Sequence, residues 1–185
     1  MSNSQLLLKA ASFAAARHQN QKRKGASAKP YINHPIKVAE ILASNGEADN
    51  TNLLIAALLH DVLEDTVKTP DEMIEVKSVI HDYFGANVLS IVEEVTDDKS
   101  LPKQMRKQMQ IEHAPHLSVN AKKLKLADKN NNLTDILHDP PTDWPMERKY
   151  EYFVWAEKVL NGLSGINPTM EGMAKELVIK GKHCY

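Results

Sequence analysis

Apolar residues recur every three to four positions along nearly the whole chain, and no stretch alternates apolar and polar residues as a half-buried strand would. Leu6, Leu7, Ala10, Phe13, Ala14 and Arg17 predict a helix over about residues 4–20, followed by the basic loop Lys22-Arg23-Lys24-Gly25. Tyr31-Ile32-Asn33-His34-Pro35 opens a second helix, with proline in the first turn where its missing N–H costs nothing, and Asn45-Gly46 ends it. The third helix, over about residues 51–65, is apolar almost throughout from Leu53 to Leu59 and is therefore central. Thr69-Pro70-Asp71-Glu72 reads as a capping box that starts a fourth helix, which ends near Phe84-Gly85. Shorter helices are expected at about 86–95 and 102–113, a broken one at about 118–138, and two more at about 145–163 and 168–180. With no internal repeat and no linker, the pattern predicts one all-α domain over residues 1–185, a bundle of about 8–10 helices.

Composition narrows the function classes. The 185 residues carry a net charge of -1, which argues against a nucleic-acid partner held on a broad basic surface. An anionic partner should be a small molecule in a local basic pocket. No apolar run approaches the roughly 20 residues of a membrane span. The basic cluster near the N-terminus follows the apolar stretch, the reverse of a secretory signal. The single cysteine, Cys184, allows neither an internal disulfide nor a cysteine-based zinc site, so a metal would have to use histidine and carboxylates. A reducing, cytoplasmic setting fits.

Chemistry enters at the end of the apolar third helix, where Leu58-Leu59 is followed by His60, Asp61, Glu64 and Asp65. On a continuous helix His60 and Glu64, and Asp61 and Asp65, are four apart and form one polar patch. A divalent cation would compensate such buried carboxylates; a hydrated, salt-bridged helix end is the plainer alternative. His34, at a helix start, and Asp128, in Leu124-Lys125-Leu126-Ala127-Asp128-Lys129, could bring a second imidazole and a second carboxylate inward. Two of each suits Mn(II), Fe(II) or Zn(II), although spacing alone does not join these four residues. His18, His81, His113, His116, His138 and His183 read as surface or structural histidines, and Trp144 and Trp155 as packing anchors.

The strings Tyr31-Ile32-Asn33-His34-Pro35, Ala57-Leu58-Leu59-His60-Asp61, Glu64-Asp65-Thr66, Val95-Thr96-Asp97-Asp98-Lys99 and Lys125-Leu126-Ala127-Asp128-Lys129 occur in this order. So ordered, the chain resembles the HD superfamily of metal-dependent phosphohydrolases, and within it the small alarmone hydrolases related to the RelA/SpoT hydrolase domain and the metazoan SpoT homologue. The resemblance implies an HD-domain helical fold with one metal, usually Mn(II), on His34, His60, Asp61 and Asp128. It implies removal of the 3′-pyrophosphate from (p)ppGpp, the alarmone of the stringent response, to give GDP or GTP. Glu64 and Asp65 match the acidic pair that orients and deprotonates water. Arg23 and Lys24 match a basic loop beside the guanosine, Asn132 a position near the sugar, and Arg148 and Tyr152 the phosphate side of the pocket; Lys99 and Lys129 are weaker candidates. A phosphatase acting on another nucleotide, such as the 2′-phosphate of NADPH, and a non-catalytic alarmone-binding module are the alternatives. The chain departs from the family at Asn130-Asn131, where an apolar-aromatic pair is common, and at Thr134, where arginine is common. Both departures fall beside the nucleotide pocket.

Overall fold

Helices form every regular element, and the computed structural model describes residues 1–185 throughout. In chain order they are α1 (Asn3–Arg17), α2 (Asn33–Leu42), α3 (Thr51–Leu59), α4 (Val62–Thr66), α5 (Pro70–Phe84), α6 (Ala86–Val95), α7 (Lys103–His113), α8 (Val119–His138), α9 (Met146–Asn161) and α10 (Pro168–Cys184). Side-chain caps fix several starts. Ser2 and Gln5 form a reciprocal capping box at α1, and Asn50, Ser118 and Asn167 accept backbone N–H bonds at α3, α8 and α10. Gly46, at φ 96°, turns the chain out of α2, where a side chain would meet the left-handed penalty.

Three details differ from the sequence expectations. Thr69 caps α5 by accepting from the Glu72 N–H, but Glu72 does not return the bond. Its carboxylate accepts instead from the Lys68 N–H (2.8 Å) and from Arg17 (2.6 Å), an ion pair across to α1 stronger than the local one. The expected break in α8 is absent. The Asn130-Asn131-Asn132 run within it is taken up by side-chain hydrogen bonds, so these asparagines do not compete with the helix backbone. The expected single helix over 51–65 is instead α3 and α4, separated at His60-Asp61. Asp61 sits at φ -94°, ψ -2°, the sparsely populated bridge region that recurs in active sites.

The core is organised around α3. Leu53 to Leu59 are all buried, and α1, α2, α6 and α8 surround the helix. A second, smaller cluster of Leu133, Ile136, Phe153, Ala156 and Val178 joins α8, α9 and α10. There Gly181 of α10 lies against the Phe153 ring with no room for a Cβ. Arg17, at the end of α1, donates to Thr66 Oγ1 and to the Thr66 carbonyl, which fastens the C-terminal end of α4. Two consequences position the site: α3–α4 and α8 place their polar residues at the same level, and α2 delivers His34 between them. No helix is long and apolar enough to cross a membrane.

Candidate metal and nucleotide site

The break after α3 decides the geometry of the first pair. In a continuous helix adjacent residues point about 100° apart and do not face each other. Here the bridge conformation of Asp61 swings its carboxylate to 3.1 Å from His60 Nε2. His34 Nε2, from the first turn of α2, lies 3.5 Å from Asp61 Oδ2 and 3.2 Å from Asp128 Oδ1. The ligating atoms of His34, His60 and Asp128 all fall within 4.8 Å of one another, and Asp61 joins them through its contacts to both imidazoles. All three of that core set are buried. The four residues that sequence spacing could not join therefore meet in space.

The donor set fits a divalent cation. His60 Nδ1 faces the Ala57 carbonyl at 2.7 Å, an acceptor, so that nitrogen carries a proton, and it is Nε2 that would give up its proton and offer a lone pair to a cation. That Nε2 is fully buried and makes no hydrogen bond, since Asp61 approaches it off the bonding direction. An orphaned buried nitrogen beside two carboxylates is what a metal would satisfy. Electrostatics agree. Burial by itself would lower the His60 pKa, but Asp61 and Asp128 outweigh it and push it up to about 9. Burial opposes ionisation of Asp128, yet the Lys129 ammonium, 3.0 Å away, holds its carboxyl well below the usual range. Asp61 is likewise held low, by His60 and His34, against its burial. Its Oδ2 also accepts from the Tyr31 hydroxyl at 2.7 Å, and burial and Asp61 both raise the Tyr31 pKa, which keeps the phenol a donor.

Glu64 and Asp65 stand one turn beyond, on α4. Burial and the neighbouring carboxylates Asp97, Asp61 and Asp65 push the Glu64 pKa up to about 7, with Lys99 opposing. Glu64 accepts from the Asp97 N–H at 3.2 Å and lies 3.7 Å from Lys99 and 3.9 Å from Arg106. Asp65 is bound by Gln21 (2.8 Å) and Lys99 (2.5 Å). A carboxylate tuned near neutrality beside a second one held in place is the arrangement a general base requires.

These residues open onto a cleft of about 560 Å³, the size of a nucleotide site. Arg23, Lys24, Asn132 and Tyr152 line it with the metal and acidic residues. Arg148 does not line it: its guanidinium stacks on Trp144, 4.2 Å from the ring centroid, and Trp144 forms the wall. Lys99 and Lys129 reach the cleft already paired with Asp65 and Asp128. The basic loop is pinned on its far side. Gly25 approaches Asp139 too closely for any Cβ, and Ser27 donates to the Asp139 carboxylate.

Sequence reasoning missed Lys103, Arg106 and Lys107, which α7 presents to the cleft. Burial, with the cations around them, lowers the pKa of Lys103 and Lys107. In the sequence they read as an ordinary charged helix face; the only signal was that α7 has so little apolar surface of its own. Lys125, buried and donating to the Val95 carbonyl at 3.2 Å, was also missed, as was Tyr31 as a partner of Asp61. At the two departures, Asn131 faces His34, and Thr134 donates to the Asn130 carbonyl at 2.8 Å inside α8.

Comparison with known proteins agrees with this architecture. The chain matches the HD domain family over residues 10–152. It is 50% identical over 171 residues, 92% of each chain, to the guanosine-3′,5′-bis(diphosphate) 3′-pyrophosphohydrolase MESH1 of Xenopus tropicalis. It is 49% identical, again over 92% of each chain, to the protein of the same name from Homo sapiens. Among solved structures it superposes with a TM-score of 0.86, at 42% identity and covering 95% of this chain and 94% of the other, on a metazoan orthologue of SpoT described as hydrolysing ppGpp and acting in starvation responses. The chain belongs to the HD-domain family and, within it, to the group that contains the metazoan SpoT homologue.

Proposed function

We propose that this protein is a Mn(II)-dependent hydrolase that removes the 3′-pyrophosphate of (p)ppGpp, acting in the cytoplasm as a single HD domain over residues 1–185. The observation that carries the reading is the juxtaposition of His34, His60, Asp61 and Asp128 with Glu64 at the floor of a nucleotide-sized cleft. It is supported by relatives at about half identity that bear this activity in their names.

The division of labour follows from the geometry. His34, His60, Asp61 and Asp128 would hold the cation, Mn(II) in our reading, with Fe(II) or Zn(II) also suited to the donor set. When bound, a divalent cation supplies Lewis acidity, acidifying water and polarising a phosphate oxygen. Glu64, with a pKa near 7, takes the proton of the attacking water, while Asp65, fixed by Gln21 and Lys99, orients it. The water oxygen forms a bond to the phosphorus attached to the ribose 3′ oxygen. That P–O bond breaks, pyrophosphate departs, and the 3′ oxygen takes up a proton to leave GDP or GTP. Arg23, Lys24, Asn132 and Tyr152 hold the nucleotide, and Arg148 acts through its stack on Trp144 at the cleft wall.

The test is pyrophosphate release from ppGpp by purified protein, with and without Mn(II), beside an Asp61→Ala control. Release that needs both Mn(II) and Asp61 is the expected result. Faster turnover of NADPH than of ppGpp, or tight ppGpp binding with no metal-stimulated turnover, would refute it.

A further inference from the structure

The Asn131-Asn132 pair places two amides between the metal ligands and the basic loop. The Asn131 amide oxygen lies 2.6 Å from His34 Nδ1, and its nitrogen lies 3.5 Å from Asp135 Oδ1. The Asn132 nitrogen lies 2.6 Å from Asp128 Oδ1, and its oxygen 2.7 Å from Arg23 Nη2. Arg23 also grips Asp135 Oδ2 through Nε (3.0 Å) and Nη2 (2.7 Å). The contacts close into a ring: His34, Asn131, Asp135, Arg23, Asn132, Asp128, and back to His34 at 3.2 Å.

Each link has a forced direction. A guanidinium only donates and an ionised carboxylate only accepts. Arg23 therefore turns the oxygen of Asn132 toward itself and its NH₂ toward Asp128. Asp135 takes the NH₂ of Asn131, which leaves the Asn131 oxygen for His34 Nδ1. His34 Nδ1 must then carry a proton, which leaves Nε2 as the nitrogen that faces Asp61 and Asp128 and that a cation would take. Asn131 is buried, 6% exposed, so water does not substitute for this bond.

We propose that Asn131 is a positioning residue for His34: it sets the tautomer and orientation of that imidazole, and its own polarity is set by Asp135 and Arg23. The loop that faces the nucleotide thus determines the protonation pattern of a metal ligand two side chains away. The proposal rests on the reading of His34 as a ligand. Partners of this kind tune metal affinity by about 10–100-fold. Leucine at position 131 would fill the same volume without accepting the bond, so packing and positioning make opposite predictions.

Two measurements decide it. Long-range ¹H–¹⁵N spectra of the metal-free wild-type protein report the protonation of each His34 nitrogen without any variant; a proton on Nδ1 is expected, and an unprotonated Nδ1 would overturn the proposal. Mn(II) titration followed by EPR then compares wild type, Asn131→Leu, His34→Ala and the exchange Asn131→Asp with Asp135→Asn. The exchange keeps an acceptor facing His34 Nδ1 and an acceptor facing Arg23, and reverses only the bond between positions 131 and 135. Asn131→Leu should weaken Mn(II) binding about 10–100-fold and the exchange restore it to within about threefold. Leucine binding Mn(II) as tightly as wild type, while His34→Ala does not, would overturn the positioning role alone. Unchanged binding in His34→Ala would remove the ligand reading and the proposal together.

Discussion

Glu64→Gln sets catalysis against stability at a single side chain. In the metal-free protein the Glu64 pKa rises from 4.5 to about 7 because burial and three carboxylates disfavour its charge. At about 1.4 kcal/mol for each tenfold in proton affinity, holding Glu64 ionised costs the folded state about 3 kcal/mol. Glutamine has nearly the same shape and no charge. Its oxygen can still accept from the Asp97 N–H, but it loses the attraction to Lys99 and Arg106. A net gain of about 1–3 kcal/mol above pH 7 is expected. The pH dependence has a definite sign. The raised folded-state pKa means that the native protein binds the extra proton between about 4.5 and 7. Wild-type stability from this group is therefore complete below 4.5 and is lost as pH rises through 7. The advantage of glutamine should be absent near pH 4, grow across that window and level off above it. Urea denaturation in EDTA at several pH values measures it, and ppGpp turnover of the same variant should fall by about 10²–10⁴. A gain that is absent at pH 8, or as large at pH 4 as at pH 8, would refute the account of Glu64 as a carboxylate held at a cost for its basicity.

Other outcomes follow from the same geometry. At saturating Mn(II), turnover should fall tenfold per pH unit on the acid side of a midpoint at or below 7, since a bound cation favours ionised Glu64; a profile with no acid limb at any pH below 7 would rule Glu64 out as the base. His60→Ala should abolish the rise in melting temperature that Mn(II) gives the wild type, as it removes the orphaned Nε2; an undiminished rise would place the cation elsewhere. Gly181→Ala puts a methyl into the Phe153 ring. The overpacking cost of about 1–3 kcal/mol should exceed the helix-propensity gain of about 1 kcal/mol, so the denaturation midpoint should drop; an increase would mean that α9 and α10 part easily.

Local signals made most of the helices legible, because capping residues and 3.6-residue periodicity are written into short stretches of chain. Thr69-Pro70 and Gly46 fall where they were expected. What sequence could not give was long-range geometry. His34 and Asp128 meet only because α2 and α8 pack together, and family resemblance, not spacing, joined them beforehand. The break at His60-Asp61 was hidden because apolar Val62 and Leu63 continue the helical pattern across it. The continuity of α8 through its asparagine run was equally hidden, since the run's hydrogen-bond partners lie on α2, α10 and the Arg23 loop. The cations of α7 looked like solvent-facing charge because nothing in their own segment reveals the cleft they overlook.

The break between α3 and α4 also bears on how long a cation would remain. His60 and Asp61 are one peptide unit apart, so if both held the cation, release of either would leave its neighbour in place with an oxygen or nitrogen 3.1 Å away. Recapture would then compete with escape. Such a pair would favour a long residence time over rapid exchange, so that occupancy would follow the history of metal exposure more than its momentary concentration.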